Sequence, residues 1–242
     1  MADSYLLLWL EGPLQSWGHD SRFGRRDSLD FPTKSGVLGL LCCARGAGGL
    51  EKDWLACWAD LDMQVLGYVP CSANGQLMPR QPLLRDFQMV GSGYDDQDLW
   101  QTLLIPKKSD GGKAVGGGTK MTYRYYLQDM TYAVVLQAPE GLAQEAVSAL
   151  QAPVWDIYLG RKNCVPTEFV YQGVFERADA AWQAAAVLAQ SKGRSPVLRV
   201  LQGEHDGEVL TLNDVPLQLG KHKTYRDRRV TVQRIDAAES TG

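Results

Sequence analysis

Six consecutive apolar residues, Tyr5-Leu-Leu-Leu-Trp-Leu10, stand near the start of the chain and restrict the fold more than any other feature. A membrane helix needs about 18 such residues, and a strand with one wet face alternates apolar with polar positions. What remains is a central β-strand covered on both faces, which demands packed layers on either side of a sheet. Gly12-Pro13 stops the run. A hydrophobic content of 45% over 242 residues can supply that core and excludes global disorder. The chain opens with Met1-Ala2-Asp3 rather than a basic stretch, so a soluble protein without an export signal is expected. Cysteines 42, 43, 57, 71 and 164 show neither CxxC spacing nor a nearby histidine cluster, which removes a zinc finger and argues against a secreted disulfide framework. Reduced thiols in a cytoplasm are expected, with no metal and no cofactor.

After a polar connection from Gln15 to Asp30, Thr33 stands where an N-cap belongs. Val37, Leu38, Leu40, Leu41 and Ala44 then mark one side of a helix ending near Gly46. Gly36 and Gly39 weaken this helix, so each is expected to admit a close approach to its backbone. Asp62–Val69 and Met130–Gln137 read as strands, Pro139–Pro153 as an amphipathic helix, and Glu168–Phe175 as a further strand. The order β-α-β-β-α-β is that of the ferredoxin-like fold shared by RNA-recognition modules.

The expected fold is therefore α+β. A ferredoxin-like (RRM-like) RNA-binding domain spans 1–175, with an insertion at about 80–128. A small β-rich C-terminal subdomain spans 176–242, with a helix over 179–190 and short strands over 196–201, 208–212 and 224–232. Its appearance is that of an appendage. The Asp110–Thr119 core of the insertion is too rich in glycine to pack alone, and connections beyond about 12–15 residues tend to be functional or disordered. It reads as a long, projecting β-hairpin whose tip orders on binding.

A net charge of −3, from 25 Lys+Arg against 28 Asp+Glu, argues against coating nucleic acid with the whole surface but leaves room for local basic sites. Lys221, Lys223, Arg226, Arg228, Arg229 and Arg234 face only Asp227 within their stretch, and Lys107, Lys108, Lys113, Lys120 and Arg124 face only Asp110. Two such runs, one in a glycine-rich loop, point to a polyanionic partner.

Catalysis is sparsely provided for. His205 lies in a polar turn, while His19 and His222 can contact a phosphate as readily as move a proton. No phosphate-binding loop, nucleophile elbow or His-Glu-x-x-His helix is present. Two places suit RNA better. At Phe31-Pro-Thr-Lys-Ser-Gly36 a glycine replaces the acid of a capping box, so helix amides are expected to stay free beside Lys34 and Ser35 as an anion site. An ordinary solvated helix start is the plain alternative. Trp17 and Phe23 interleave with Arg22, Arg25 and Arg26, the combination that stacks bases and holds phosphates, with packing of Trp17 into the core as the competing reading.

The stretch Tyr5-Leu-Leu-Leu-Trp-Leu-Glu-Gly-Pro-Leu-Gln-Ser-Trp-Gly18, followed by Phe31-Pro-Thr-Lys-Ser-Gly-Val-Leu-Gly-Leu-Leu41, resembles the amino-terminal signature of the CasD family, subunits of the type I-E CRISPR Cascade complex. Leu84-Arg-Asp-Phe87, Thr122–Asp129 and Tyr158-Leu-Gly-Arg-Lys-Asn-Cys-Val-Pro166 are similar to later stretches of the family, in the same order. The resemblance implies a non-catalytic subunit that caps the 5′ handle of the CRISPR RNA with a ferredoxin-like domain and a β-hairpin thumb. It further implies contact with the CasC backbone subunit and the CasA large subunit, with target DNA met only through the complex and no membrane. Carried over by position, Gln15, Ser16, Trp17, Lys34, Ser35, Arg161 and Lys162 become handle contacts. Arg22, Arg25, Arg26, Lys107, Lys108, Lys113, Lys120 and Arg124 join them as further RNA-binding candidates. A relative in type I-C systems is a metal-independent endoribonuclease using tyrosine, lysine and histidine. The absence of any histidine between 20 and 204 favours binding over cleavage here.

Overall fold

The computed structural model describes residues 3–19, 24–72, 74, 76–90, 97–100, 108–112 and 120–235. Strand β1 (Asp3–Glu11) lies inside the sheet, as its apolar run requires. Its side chains alternate between two cores: Leu6, Leu8 and Leu10 point into the larger one, Leu7 and Trp9 into a smaller one on the opposite face. Short strands β2 (Leu14–Gln15) and β3 (Arg25–Arg26) follow, then helix α1 (Lys34–Arg45), helix α2 (Lys52–Ala59) and strand β4 (Met63–Pro70). Strands β5 (Leu84–Val90) and β6 (Lys120–Gln128) precede β7 (Thr131–Pro139), helix α3 (Glu140–Gln151) and β8 (Tyr171–Phe175).

The sheet places β8-β1-β7-β4 side by side, every neighbour antiparallel. That is the ferredoxin-like arrangement expected from the element order. Register is pinned along the whole of β1, from Asp3 opposite Pro139 to Glu11 opposite Thr131. A one-residue slip would exchange the two cores, so it is strongly disfavoured. Helices α1, α2 and α3 cover the larger core through residues such as Leu38, Leu55 and Ala146.

The carboxy-terminal third differs from the expected appendage. Helix α4 (Ala178–Ser191) closes the smaller core with Ala181, Ala185 and Ala189, whose short side chains let it lie close to Leu7, Trp9 and Tyr68. Strands β9 (Arg194–Gln202), β10 (Glu208–Gln218) and β11 (Thr224–Arg234) extend the same sheet, because β9 pairs with β4 from Val65–Val200 to Pro70–Arg194. Leu198, Val200, Leu212 and Val230 enter the larger core. Their alternating pattern reads as a half-exposed strand set, and it does not by itself say which sheet they join.

The insertion is a hairpin at its base. β5 and β6 pair antiparallel from Leu84–Tyr126 to Val90–Lys120. They form a second sheet in which β6 also pairs with β2 and, in parallel, with β3. Of the tip, only 97–100 and 108–112 are described; Lys107, Lys113 and the Gly116–Thr119 stretch lie outside the described residues.

One glycine holds the second sheet's surroundings to the first. Gly160 has φ +88°, and a β-carbon there would lie 1.8 Å from the Ser16 carbonyl oxygen. Ser16 N donates to Leu159 O at 3.1 Å, so the 158–164 loop and the 14–17 segment are backbone to backbone. Gly160→Ala should therefore destabilise by at least the roughly 1–3 kcal/mol of a forced left-handed residue, read as a lower midpoint in denaturant unfolding. An unchanged midpoint would mean the two segments separate at no cost.

Candidate nucleic-acid interface

The helix start expected to bind anions is sealed instead. Thr33 Oγ1 accepts from Gly36 N at 3.1 Å, as an N-cap should, and Asp214 Oδ2 from β10 accepts from Lys34 N at 2.7 Å. Asp214 in turn holds Arg228 through two bonds of 2.7 and 2.9 Å, and both side chains are buried. Lys34 is fully buried rather than exposed. Its ammonium donates to Ala59 O at 2.9 Å and Leu61 O at 2.6 Å, capping the carboxy-terminal carbonyls of α2.

Gln15 and Trp17 are also interior. Gln15 Nε2 donates to Leu10 O and Met130 O, and its Oε1 accepts from Trp17 Nε1 at 3.1 Å. The Trp17 ring lies against Gly36, where a β-carbon would come within 2.7 Å of it, so that glycine admits a core tryptophan rather than a ligand. Gln15 and Lys34 therefore organise the site from the interior, whereas Trp17, though buried, also contributes to the wall of the groove over α1. Ser16 is buried too, its Oγ donating to Tyr125 O at 3.0 Å.

What the packing leaves open is a groove of about 470 Å³ along the outer side of α1. Gly39, above which a β-carbon would meet nothing within 4 Å, and Ser35 form its floor. Tyr158 and Gly160 bound one side, and Lys223 and Tyr225 of the β10–β11 hairpin bound the other. The basic run at 221–234 is largely spent: Arg226 pairs with Asp60, Arg228 with Asp214, Arg229 with Glu204 and Arg234 with Asp30. Lys221 and Lys223 stay exposed and have no salt bridge among the described residues. Sequence counting marked the run but could not tell spent cations from free ones.

Other expected residues cluster around β6. Arg161 donates to Tyr125 O and Arg26 O and lies 4.8 Å from the Tyr126 ring centroid, so it braces the loop against the hairpin. Lys162, next to it, is exposed. Arg26 is exposed on β3, and Arg25 pairs with Asp27 while lying 5.1 Å from the Tyr125 ring centroid. Arg124 is half-buried, with its Nε lacking a hydrogen-bond partner among the described residues. Lys108 is exposed in a turn, its N donating to Gly112 O; Lys120 opposes Val90 on β6. Arg22, Phe23, Lys107 and Lys113 lie outside the described residues. The hairpin adds aromatic residues that sequence reading missed: Phe87 and Tyr123 face each other at 5.4 Å, with Arg85 5.7 Å from the Tyr123 centroid. Their alternation across β5 and β6 was the available signal.

A family model described as CRISPR-associated protein (Cas_Cas5) matches residues 5–235, nearly the whole described chain. The chain belongs to the Cas5 family. The CRISPR system Cascade subunit CasD of Escherichia coli (strain K12) is 30% identical over 179 residues, 73% of this chain and 73% of that protein. A chain of a solved CRISPR RNA-guided surveillance complex superposes with a TM-score of 0.66 at 28% identity, covering 98% of this chain and 93% of that one. The crystal structure of a Cas protein gives 0.59 at 26%, covering 97% and 96%. Membership reaches into β9–β11, so this Cas5 chain carries its carboxy-terminal strands as part of the family fold.

The buried charges make a measurable prediction. Burial, with Arg228 adding repulsion, lowers the Lys34 pKa to about 8, against the opposing pull of Asp214, Asp62 and Asp60. Unfolded, the same group titrates near 10.4. Between those values the unfolded chain holds more protons, so stability rises as pH climbs through that window. The unfolding free energy of the wild type relative to Lys34→Met should therefore grow from about pH 8 to about pH 10. A difference that stays flat would show that Lys34 titrates as an exposed lysine. Asp214→Ala, which strands Arg228, should cost about 3–5 kcal/mol in denaturant unfolding.

Proposed function

We propose that this chain is a non-catalytic, RNA-binding subunit of a type I-E CRISPR Cascade complex that caps the 5′ handle of the guide RNA. The observation that carries this reading is the groove over α1, bounded by Lys223 and Tyr225 on one side and Tyr158 on the other, in a Cas5-family chain. It offers hydroxyls, glycine-paved backbone and the unspent Lys223, with Lys221 next to it along the turn, which suits a single strand held through phosphates and sugar rather than a reacting group held against a base. Ser35, Lys162, Lys221 and Lys223 are the contacts we assign, with Arg26 and Lys108 toward the hairpin. In this reading β5 and β6 form the base of a thumb that meets the adjacent CasC backbone subunit, the CasA large subunit lies alongside, and target DNA is met only through the assembly. The workplace is the cytoplasm, in keeping with the free thiols.

The histidines fall in separate places: His19 after Gly18, His205 in a turn where its Nε2 lies 3.0 Å from Gln202 O, and His222 in the β10–β11 turn. His222 stands in a basic turn between Lys221 and Lys223, but among the described residues no hydrogen bond joins its ring to the acid or base that a ribonuclease needs. Labelled repeat RNA incubated with the full chain should stay intact, in chelator or without it. Site-specific cleavage that disappears on mutating His19 or His222 would replace this reading with an endoribonuclease. Changing Lys221 and Lys223 together to Glu should weaken RNA binding and flatten the plot of log affinity against log salt by about 0.7 per lysine lost. An unchanged salt slope would remove the hairpin turn from the interface.

A further inference from the structure

Beyond Tyr158 the groove opens into a second cleft, of about 1030 Å³, which shares Cys43, Trp155 and Tyr158 with the first. Its walls are Val154, Trp155, Ile157 and Val165, with Lys162 at its margin. Large apolar side chains are left open here: Val154 is 63% exposed, Val165 61% and Trp155 47%. A run of such residues beside a polar groove marks a binding surface rather than scatter.

The segment that carries Trp155 is fixed. Val154 N donates to Ala44 O at 2.8 Å, and the Cys43 thiol donates to Asp156 O at 3.2 Å, so both residues flanking Trp155 are tied to α1. A β-carbon on Gly48 would lie 3.1 Å from Trp155 Cη2, which means the indole is backed by bare backbone. The ring is thus braced at its Cη2 end against the Gly48 backbone while nearly half of the residue stays exposed, which leaves a fixed indole available for stacking.

We propose that this cleft receives one unstacked base of the bound RNA, stacked on Trp155, with the adjoining phosphate held by Lys162. The inference rests on the RNA-binding reading above and adds the position at which a base leaves the strand's own stack. Two observations select a base over an apolar protein side chain. The cleft shares Cys43, Trp155 and Tyr158 with the groove assigned above to the RNA strand, so a strand lying in one passes the mouth of the other. The charges are also ordered for it: the Cys43 thiol, held high chiefly by burial, is raised further by Asp156 and lowered by Lys162, so a carboxylate and an ammonium both stand at the cleft. Asp156 turns a phosphate away from the interior while Lys162 accepts it at the margin, which leaves the uncharged base to enter.

The test is an abasic walk. A set of single-stranded RNAs carrying the repeat-derived 5′ end, each lacking one base, is titrated against the full wild-type chain and against Trp155→Ala and Trp155→Phe. One abasic position should weaken wild-type binding roughly 5- to 150-fold, the range of base–aromatic stacking. Trp155→Ala should weaken the intact RNA by a similar factor and be indifferent to that same abasic position, while Trp155→Phe should keep most of both effects. Circular dichroism and a thermal melt verify that Trp155→Ala is folded, and a Gly48→Val variant, which pushes the ring from its support, gives a second route to the same loss. If the wild type binds RNA but every abasic position is tolerated alike, or Trp155→Ala binds intact RNA normally, the base site is overturned and the groove reading stands. If Trp155→Ala keeps RNA but fails to assemble with the other subunits, the cleft is a protein contact and the proposal is likewise overturned. Failure of the wild type to hold any RNA would overturn both readings.

Discussion

Asp214 is the residue on which the arrangement of the site depends. It lies on β10, 180 positions along the chain from the helix start it caps, and accepts from Lys34 N while holding Arg228 with two further bonds. A carboxylate at a helix amino terminus is favourable electrostatically, and this one is also neutralised by a guanidinium, so burial of the set is tolerable only while all members are present. Lys34 extends the node to α2 by capping Ala59 O and Leu61 O, and Arg226 reaches Ala59 O from β11. Two helices from the front of the chain and two strands from its end are thereby fixed at one point. The β10–β11 hairpin that bounds the groove sits on that point.

The apolar run of β1 and the element order were legible without coordinates, because strand burial and βαβ handedness are written in local periodicity. Thr33 as N-cap and the stop at Gly46 were legible for the same reason: capping chemistry acts over a few residues. The 221–234 charges were not. Arg226, Arg228, Arg229 and Arg234 find acids at 60, 214, 204 and 30, and only the register of β9–β11 decides those pairings. Helix α2 and the burial of Lys34 belong together, since α2 creates the carbonyls that Lys34 satisfies. A lysine beside open helix amides reads as a phosphate ligand until an acid from elsewhere closes those amides.

Gln15 and Trp17 illustrate a related confusion. Polar and aromatic residues at a strand end are what a nucleic-acid contact needs, and they are equally what a buried turn needs. Gln15 spends both of its amide hydrogens on Leu10 O and Met130 O while its oxygen accepts from Trp17 Nε1, which is the sort of satisfied internal network that fixes a backbone. Their place in the family signature then follows from the shape they impose on the 14–17 segment, against which Gly160 and Ser35 define the groove.

Rigidity of the groove is a consequence of where its walls are anchored. Tyr158 and Trp155 follow α1 through Val154 and Cys43; the β10–β11 wall follows α1 through Asp214. Both walls are thus referred to the same helix, and their spacing cannot change without breaking a hydrogen bond to α1 on one side or the other. A strand entering such a groove meets contacts already in place, so little of its binding energy is diverted to ordering the protein. In the proposed reading, the free energy that remains acts on the RNA, fixing the path of its backbone. If the groove holds the end of a guide as proposed, any freedom between its walls would become freedom in the register of that guide, and reference of both walls to α1 removes it.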